Sequence, residues 1–270
     1  MEQAVTKQID ELVDALQSSR HVVVLTGAGA STEAGLPDWR GPAGMWKQWS
    51  PTQMASLSAM QQNPVEFYQF YRYRLSKLRG AVPGPTQRAL AALEAAGKIH
   101  CIITQNIDRL HQAAGSRNVI EVHGSLDTAV CVKCGREYSP EVLDVDVETA
   151  DDVPRCDTCG GYLKPGIVLF EEPLPQDAIA AAFAESERAD LFMVVGSSLE
   201  VGPVNMLPAR AAHAGARLAI VNLSETHLDW MANWLIREKA GVVLTEVVKR
   251  LGIECQSDGL TKQEDVSGSA

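Results

Sequence analysis

The chain has 270 residues and a formal net charge of -10, and hydrophobic residues make up 46% of it. This length and apolar content allow a large buried core, which argues against disorder over most of the chain. The negative charge argues against nonspecific nucleic-acid binding, because phosphate groups require a positive surface. No run of about 18 apolar residues is present, and the N-terminus lacks the basic start and apolar run of a signal peptide. We therefore expect a cytoplasmic protein with neither nucleic acid nor membrane as a partner.

Strand-like and helix-like segments alternate along the chain. An amphipathic helix is predicted at residues 3–19, and the apolar run 22–25 is typical of a strand buried on both faces of a parallel sheet. Similar runs lie at 100–104, 118–123, 191–196 and 217–222, and alanine-rich helical segments lie at 86–96, 176–188 and 205–214. This alternation predicts an α/β fold with a doubly wound parallel sheet.

Two long segments interrupt the alternation and predict a smaller inserted module. Residues 36–80 are rich in Pro and Gly and then aromatic, and residues 125–165 contain paired cysteines and an acidic loop. Both are too long for ordinary connections. We predict that 1–41, 81–124 and 165–255 form the main domain, that 42–80 form a loop and the helical part of the module, and that 125–164 form its cysteine-containing part. The polar segment 256–270 is predicted to be a disordered tail.

The glycine-rich motif Gly27-Ala28-Gly29-Ala30-Ser31 follows the first predicted strand. Glycines let a backbone approach a pyrophosphate, and a helix N-terminus supplies N–H donors to it, although tight turns also need glycine. A dehydrogenase would carry an acidic ribose-binding residue about 20 positions further on, and the stretch KQWSPTQ there has none. The motif favours a nucleotide site and disfavours classical hydride transfer.

Four of the six cysteines form two Cys-x2-Cys pairs, Cys131/Cys134 and Cys156/Cys159, which are separated by 21 residues. Two such turns can present four thiolates in a tetrahedron, the arrangement of a closed structural zinc site, whereas a catalytic zinc keeps an open position. The pattern therefore predicts one structural zinc. Cys101 falls in an apolar strand and is interpreted as a core residue.

Polar residues follow the predicted strand at 100–104, at the edge where open α/β sheets place their sites. The amides and the carboxylate of Gln105, Asn106 and Asp108 suit a neutral amide such as nicotinamide. An Asn/Asp cap of the next helix is the alternative, and spacing alone favours it.

Three further strand ends carry polar residues. His123 ends the strand at 118–123; such a histidine is more often structural, but a position at the same edge as Gln105 raises the catalytic alternative. Small polar residues after the last two strands suit ribose hydroxyls or helix caps: Gly196-Ser197-Ser198 and Asn222-Leu223-Ser224.

Taken together, these motifs resemble the sirtuin family. The following segments occur in the family's order between about residue 15 and about residue 250: GAGAST, GLPDWRG (35–41), TQNIDRLH (104–111), EVHG (121–124), both cysteine pairs, KPGIVLFEE (164–172), VGSSLEVGP (195–203) and VNLS (221–224). The resemblance implies a Rossmann-like NAD domain with a small zinc-and-helix module, and a substrate lysine in the cleft between them. It also implies an enzyme, an NAD-dependent protein-lysine deacylase that consumes NAD as a co-substrate and acts on acyl-lysine proteins or peptides.

The resemblance also implies roles for individual residues. His123 is the expected general base, with Asn106 as a second catalytic residue, and the backbone of 168–170 is expected to pair with the substrate peptide as an added strand. The implied substrate-binding residues are Tyr71, Arg74, Val168, Leu169 and Phe170. The implied NAD-binding residues are Gly27, Ala28, Gly29, Ser31, Asp38, Trp39, Arg40, Gln105, Asn106, Ile107, Asp108, Gly196, Ser197, Ser198, Asn222, Leu223, Ser224 and Ala240.

The implied reaction uses NAD to activate a poor electrophile. The acyl-lysine carbonyl oxygen attacks the nicotinamide ribose and expels nicotinamide. His123 then helps the ribose 2′-hydroxyl attack the resulting imidate, and water completes the reaction to free lysine and O-acyl-ADP-ribose.

The sequence departs from the common family pattern at two positions. Trp39 stands where Phe is usual in the cofactor loop, and this substitution is expected to affect nicotinamide exchange. Glu171 stands where Gly is usual, so a side chain replaces a free backbone beside the substrate strand.

The segment Phe70-Tyr71-Arg72-Tyr73-Arg74 resembles the element of sirtuins that remove succinyl and malonyl groups. Tyr71 and Arg74 are three residues apart in a predicted helix and are therefore neighbours on one face. Arg can bind a carboxylate through two N–H bonds, and a Tyr hydroxyl can add a third. On periodicity alone, a core tyrosine and a solvated arginine would explain the pair. With the resemblance to the family, the pair instead implies that the enzyme removes succinyl and malonyl groups, and also acetyl, with a preference for the acidic groups.

Three other functions compete with the predicted removal of succinyl and malonyl groups. Within the family they are general lysine deacetylation and mono-ADP-ribosylation. Outside it, a noncatalytic NAD-sensing zinc module is the alternative, which the presence of a candidate base disfavours because a pure binder needs none.

Overall fold

The computed structural model describes residues 3–38, 44, 50–78 and 80–254. Trp39, Arg40, Cys255 and the predicted tail at 256–270 lie outside the described residues.

Helices and parallel strands alternate through most of this part of the chain. The strands are β1 (Val22–Thr26), β2 (Cys101–Thr104), β3 (Val119–Glu121), β4 (Gly124–Cys131), β5 (Glu137–Tyr138), β6 (Leu163–Ile167), β7 (Leu191–Val195), β8 (Arg217–Val221) and β9 (Trp234–Ile236). The helices are α1 (Gln3–Ser18), α2 (Pro51–Met54), α3 (Leu57–Gln62), α4 (Pro64–Leu78), α5 (Pro85–Ala95), α6 (Leu110–Ala113), α7 (Gln176–Arg188), α8 (Leu207–His213) and α9 (Ala240–Arg250).

The central sheet has six strands in the order β3-β2-β1-β7-β8-β9, and every pair is parallel. Successive residues of β1 point to opposite faces. Val22 and Val24 pack in one buried cluster with α1, α5 and α9, and Val23 and Leu25 pack in a second with α7 and α8. Burial on both faces explains the unbroken apolar run of this strand. The predicted doubly wound α/β sheet is confirmed.

The strand order reverses next to β1, where β2 lies on one side and β7 on the other. Open α/β sheets bind ligands outside the carboxyl ends of the strands at such a switch point. The loops after β1, β2 and β7 therefore meet at one edge of the sheet.

A second, three-stranded antiparallel sheet has the order β5-β4-β6. A third buried cluster joins it to α3 and α4, with Phe67, Tyr68 and Tyr71 packed near Leu163 and Ile167. The strand β6 continues to Ile167, so the domain limit predicted at 164/165 falls inside it; the division into domains remains a prediction. None of the described helices is long and apolar enough to cross a membrane.

Candidate active site

A cavity of about 620 Å³ lies at the carboxyl edge of the central sheet. Its volume falls within the range of about 300–1,000 Å³ that is common for ligand and cofactor sites. Most of the predicted site residues line it: Ala28, Gly29, Ser31, Asp38, Tyr71, Arg74, Gln105, Asn106, Ile107, Asp108, His123, Val168, Leu169, Phe170, Gly196, Ser197, Ser198, Asn222 and Ser224. The structure thus brings together residues from five strand ends, α4 and the segment after β6.

Three predicted cofactor residues do not line the cavity. Gly27, Leu223 and Ala240 are not among the residues that line the cavity. Ala240 begins α9 and is buried in the first hydrophobic cluster, and Leu223 is 59% exposed. Lining residues that the sequence did not single out include Lys77 and Glu225, which lie outside the motifs, and Glu200, which lies inside the motif 195–203 but was given no role.

The glycines after β1 allow two loops to touch. Gly29 N donates to Gly196 O at 2.8 Å, and a Cβ atom added at Gly29 would lie 2.8 Å from that same oxygen. Any side chain there would force the loop after β1 away from the loop after β7. The glycine motif therefore packs the two loops together, which brings the backbone of Ala28 and Gly29 to the cavity wall.

Buried hydrogen bonds hold the polar groups at the end of β2. Asn106 Nδ2 donates to Gly27 O at 3.0 Å and to Ser31 Oγ at 3.1 Å, and Ser31 Oγ donates to Asp108 Oδ2 at 2.7 Å. Gln87, which is fully buried in α5, donates to Ser31 Oγ at 3.1 Å. Low local dielectric strengthens such a network and makes an unpaired member costly. Sequence reasoning did not find Gln87, because its contact with Ser31 spans 56 residues.

His123 lies between β3 and β4, and its hydrogen bond shows which ring nitrogen carries the proton. Its Nδ1 is 3.0 Å from Gln105 O. A carbonyl oxygen can only accept, so Nδ1 carries the proton and Nε2 is left as an acceptor. Burial lowers the pKa of His123, and the hydrogen bond to the Gln105 backbone opposes this. The imidazole is therefore neutral at pH 7, as a general base requires.

Tyr71 and Arg74 share the face of α4 that borders the cavity. The guanidinium carbon of Arg74 lies 5.4 Å from the centre of the Tyr71 ring. Burial raises the pKa of Tyr71 to about 12, and the charge and hydrogen bond of Arg74 oppose this rise. Tyr71 is thus a neutral hydroxyl beside a cation, in a wall that is largely apolar.

The segment after β6 is held on both sides. Val168 N donates to His123 O at 2.9 Å, and Phe170 N donates to Ala55 O at 2.9 Å. Leu169 N donates to Glu172 Oε2 at 2.8 Å, and this carboxylate also pairs with Lys164 Nζ at 2.9 Å. All three N–H groups of 168–170 therefore already have acceptors within the chain.

Glu171 adopts the left-handed backbone conformation, with φ of 77°, that glycine favours. Its carboxylate accepts hydrogen bonds from Ser58 N at 2.9 Å and from Ser58 Oγ at 2.7 Å. The side chain therefore ties the segment after β6 to the first turn of α3. The backbone conformation is one that a glycine would adopt without strain.

The four paired cysteines converge as predicted. Their sulfur atoms lie within 4.8 Å of one another, with 3.5 Å between Cys131 Sγ and Cys159 Sγ and 3.7 Å between Cys134 Sγ and Cys156 Sγ. Zn–S bonds of about 2.3 Å in a tetrahedron place sulfurs about 3.8 Å apart. The cluster therefore fits a structural zinc. The Tyr138 hydroxyl lies 3.0 Å from Cys156 Sγ and lowers the pKa of this thiol to about 6.

Comparison with known proteins agrees with this geometry. The Sir2 family model matches residues 27–203. NAD-dependent protein deacetylase 1 of Pyrobaculum aerophilum is 44% identical over 246 residues, which are 91% of this chain and 96% of that protein. NAD-dependent protein deacylase 2 of Archaeoglobus fulgidus is 43% identical over 90% of this chain and 96% of its own length.

A solved structure is similar over nearly its whole length. It is a Sir2 histidine mutant with a deacetylated p53 peptide and 3′-O-acetyl ADP ribose, and it superimposes with a TM-score of 0.85 at 41% identity over 91% of this chain and 99% of that one. The chain described here belongs to the Sir2 family, the sirtuins.

Proposed function

We propose that this sirtuin removes acidic acyl groups, succinyl and malonyl, from protein lysines in preference to acetyl. The broader activity is that of its family: the chain is an NAD-dependent protein deacylase, and NAD is its co-substrate. The observation that carries the acyl preference is the presence of Tyr71 and Arg74 in the wall of the cavity.

The acyl preference rests on the cost of burying a carboxylate. An acyl chain that ends in a carboxylate would lose its hydration in a largely apolar cavity, and this is unfavourable unless the charge is paired and hydrogen-bonded. Arg74 supplies a cation with fixed N–H donors, and Tyr71 supplies a neutral hydroxyl beside it. An acetyl group has no charge for this pair to bind.

NAD provides the electrophilic ribose carbon on which deacylation depends, with nicotinamide as the leaving group. We assign Gln105, Asn106 and Asp108 to the nicotinamide half, where the hydrogen bonds of Asn106 and Asp108 already hold their side chains in place. Ser197, Ser198, Asn222 and Ser224 are assigned to the adenosine half, which supports a cofactor that lies across the switch point of the sheet.

His123 is assigned as the general base. Its Nδ1–H is held by Gln105 O, so Nε2 can accept a proton from a ribose hydroxyl. The lowered pKa keeps this nitrogen unprotonated near neutral pH.

The segment 168–170 is assigned to the substrate peptide. Its three N–H groups already have acceptors, and Leu169 O and Phe170 O already accept from Glu172 N and Leu57 N, each at 3.1 Å. An added peptide strand would therefore donate its own N–H groups to Val168 O or to the second lone pairs of the other two carbonyl oxygens. The recognition is then independent of the peptide's side chains.

The test compares acetyl-, succinyl- and malonyl-lysine peptides of one sequence, each with NAD, and measures kcat/KM by mass spectrometry. Removing one partner of a buried charge costs on the order of 3–5 kcal/mol. Arg74→Met should therefore lower kcat/KM for the succinyl peptide by a factor of roughly several hundred or more, and should leave the acetyl peptide nearly unchanged.

Arg72→Met is the matched control. Arg72 lies on the same helix, but it is exposed and pairs with Asp146, so its loss should leave the ratio of succinyl to acetyl activity unchanged. If the ratio is the same in the wild type and in Arg74→Met, the acyl preference is wrong and the enzyme is a general deacetylase.

A further inference from the structure

The edge of the central sheet opposite the cavity carries a second group of metal-ligating side chains. His21 immediately precedes β1, His100 immediately precedes β2, and Glu185 lies in α7. One possible ligand atom from each lies within 4.8 Å of the other two. We propose that His21, His100 and Glu185 form a second metal site, which takes a divalent transition-metal ion such as Zn²⁺ and is separate from the cysteine cluster.

The donor atoms are close to the separations that a shared ion requires. His21 Nε2 lies 2.7 Å from Glu185 Oε2, and the rings of His21 and His100 have centroids 4.0 Å apart. In a tetrahedron, metal–nitrogen and metal–oxygen bonds of about 2.0–2.2 Å place two donors on one ion about 3.3–3.6 Å apart, so the hydrogen-bonded His21 Nε2 and Glu185 Oε2 would move slightly apart to bind it. Small side-chain rotations, most easily of the exposed His100, would complete a three-ligand site.

The backbone holds both histidines at fixed places. His21 N donates to Asp190 Oδ1 at 3.0 Å, and Asp190 N donates to His21 O at 3.0 Å. His100 N donates to Val22 O at 2.8 Å, so the two strand starts are tied to each other. The site would therefore form where two neighbouring strands begin, at backbone positions that hydrogen bonds tie together.

The carboxylate is also oriented. Arg188 donates to Glu185 Oε1 at 3.0 Å, while Oε2 of the same group faces His21. A hydrogen bond to the far oxygen of a ligating carboxylate is a common support of metal sites. The arginine thus leaves one oxygen directed at the two imidazoles.

The donor set decides the kind of ion. Two imidazoles and one carboxylate suit Zn²⁺, Co²⁺ or Ni²⁺, whereas Mg²⁺ and Ca²⁺ prefer oxygen ligands. His100 is exposed, and the side chains of His21 and Glu185 are 14% and 18% exposed, so an ion can enter from solvent and keep water as a further ligand. Because the site joins β1, β2 and α7 far from the cavity, a bound ion would stabilise the fold without taking part in deacylation.

The test counts zinc in the full-length protein without a histidine tag, after equilibration with a small excess of free Zn²⁺. The wild type should hold two zinc ions per chain, one of them removable by a mild chelator. His100→Ala and Glu185→Gln should each hold only the zinc of the cysteine cluster, or bind the second ion at least about tenfold more weakly, since even outer partners of metal ligands contribute about 10–100-fold in affinity.

His213→Ala is the control, since His213 is an exposed histidine of α8 outside the group. It should keep both ions. A wild type with one zinc, a second zinc that survives in both His100→Ala and Glu185→Gln, or one that is lost in His213→Ala would each overturn the proposed site. Because the readout is metal content, the result is independent of the acyl preference proposed above.

Discussion

The cavity and the cysteine cluster reach their geometry in different ways. The cavity is lined by residues from positions 28 to 225, and single hydrogen bonds join its distant segments, such as Ser197 Oγ to Gln105 Oε1 at 2.8 Å. The cysteine cluster is built from two Cys-x2-Cys pairs beside a three-stranded sheet, and its four sulfurs lie within 4.8 Å of one another. Packing of the central sheet therefore holds the cavity together, whereas the cysteine cluster depends on its ion.

This difference predicts how substitutions affect the cavity and the cysteine cluster. Four thiols near one another are favourable only when a metal replaces their protons, so loss of one ligand should unfold the region around them. A cavity side chain on a preformed sheet can be removed with loss of its chemistry alone. Variants of cavity residues should therefore lose catalytic activity but keep their zinc, whereas cysteine variants should lose both.

The largest expected effect is that of Cys131→Ala. Apparent metal-binding free energies of about 10–16 kcal/mol in zinc-finger peptides are also folding free energies. The variant should lose its zinc, melt at a lower temperature and be insoluble or inactive. Calorimetry and zinc content check this, with Cys101→Ala as the control because Cys101 is buried in the central core, away from the cluster. A zinc-free variant with unchanged melting and full activity would contradict the prediction.

His123→Ala should abolish turnover without disturbing the rest of the molecule. Loss of a general base commonly lowers the rate by about 100-fold to 10,000-fold. Zinc content and NAD binding should stay close to the wild type, and the melting temperature should fall by no more than the loss of one hydrogen bond, that of Nδ1 to Gln105 O, explains. Steady-state kinetics and calorimetric titration with NAD measure the two quantities. A loss of less than severalfold would make His123 a structural residue.

A third prediction concerns pH and His111, a buried residue of α6. Its Nε2 lies 2.9 Å from Thr26 Oγ1, which itself donates to Thr104 Oγ1, so Nε2 carries the proton and Nδ1 is buried without a partner. Burial lowers the pKa of His111 to about 4, against the opposing charges of Asp108 and Glu94.

The sign of the effect follows from the unfolded chain, in which a histidine has a pKa of about 6.5. Between pH 6.5 and 4 the unfolded chain binds a proton that the folded chain does not, so the free energy of unfolding should fall as the pH drops. Over this pH range the protonation of His111 should lower the free energy of unfolding by roughly 3 kcal/mol. Urea unfolding of the wild type and of His111→Gln at several pH values measures this pH-dependent loss of stability. Parallel curves for the two proteins would show that His111 does not contribute.

The smallest expected effect is at Glu171, where α3 meets the segment beside the cavity. Glu171→Gly removes two hydrogen bonds to Ser58, each worth about 0.5–1.5 kcal/mol because the carboxylate is exposed to solvent. It also relieves a left-handed backbone conformation that costs about 1–3 kcal/mol. These terms largely cancel in stability. The KM for peptide should rise less than about tenfold with kcat nearly unchanged.

Ser58→Ala sharpens this test, because it removes one of the two bonds and leaves the strained backbone in place. It should therefore lower the melting temperature more than Glu171→Gly does. If Glu171→Gly is the less stable of the two, the strain at this position has been overestimated.

Much of the molecule could be predicted from the sequence, because the relevant signals are local. Apolar runs such as 22–25 and 191–196 report burial on both faces of a sheet. The spacing of Cys131, Cys134, Cys156 and Cys159 reports tetrahedral ligation, because each pair lies on a single turn. The order of the motifs identified the family, and with it most of the residues that line the cavity.

Other features depended on tertiary structure, because they join residues that are far apart in the chain. The short strand β9 has three residues, too few for a periodic signal. Ala240 packs into the core at the start of α9, and Gln87 supports Ser31 from another helix. The group of His21, His100 and Glu185 likewise forms only when β1, β2 and α7 pack together. Local patterns determine which residues are buried and which lie in turns, whereas packing of the sheet and helices decides which of them are in contact.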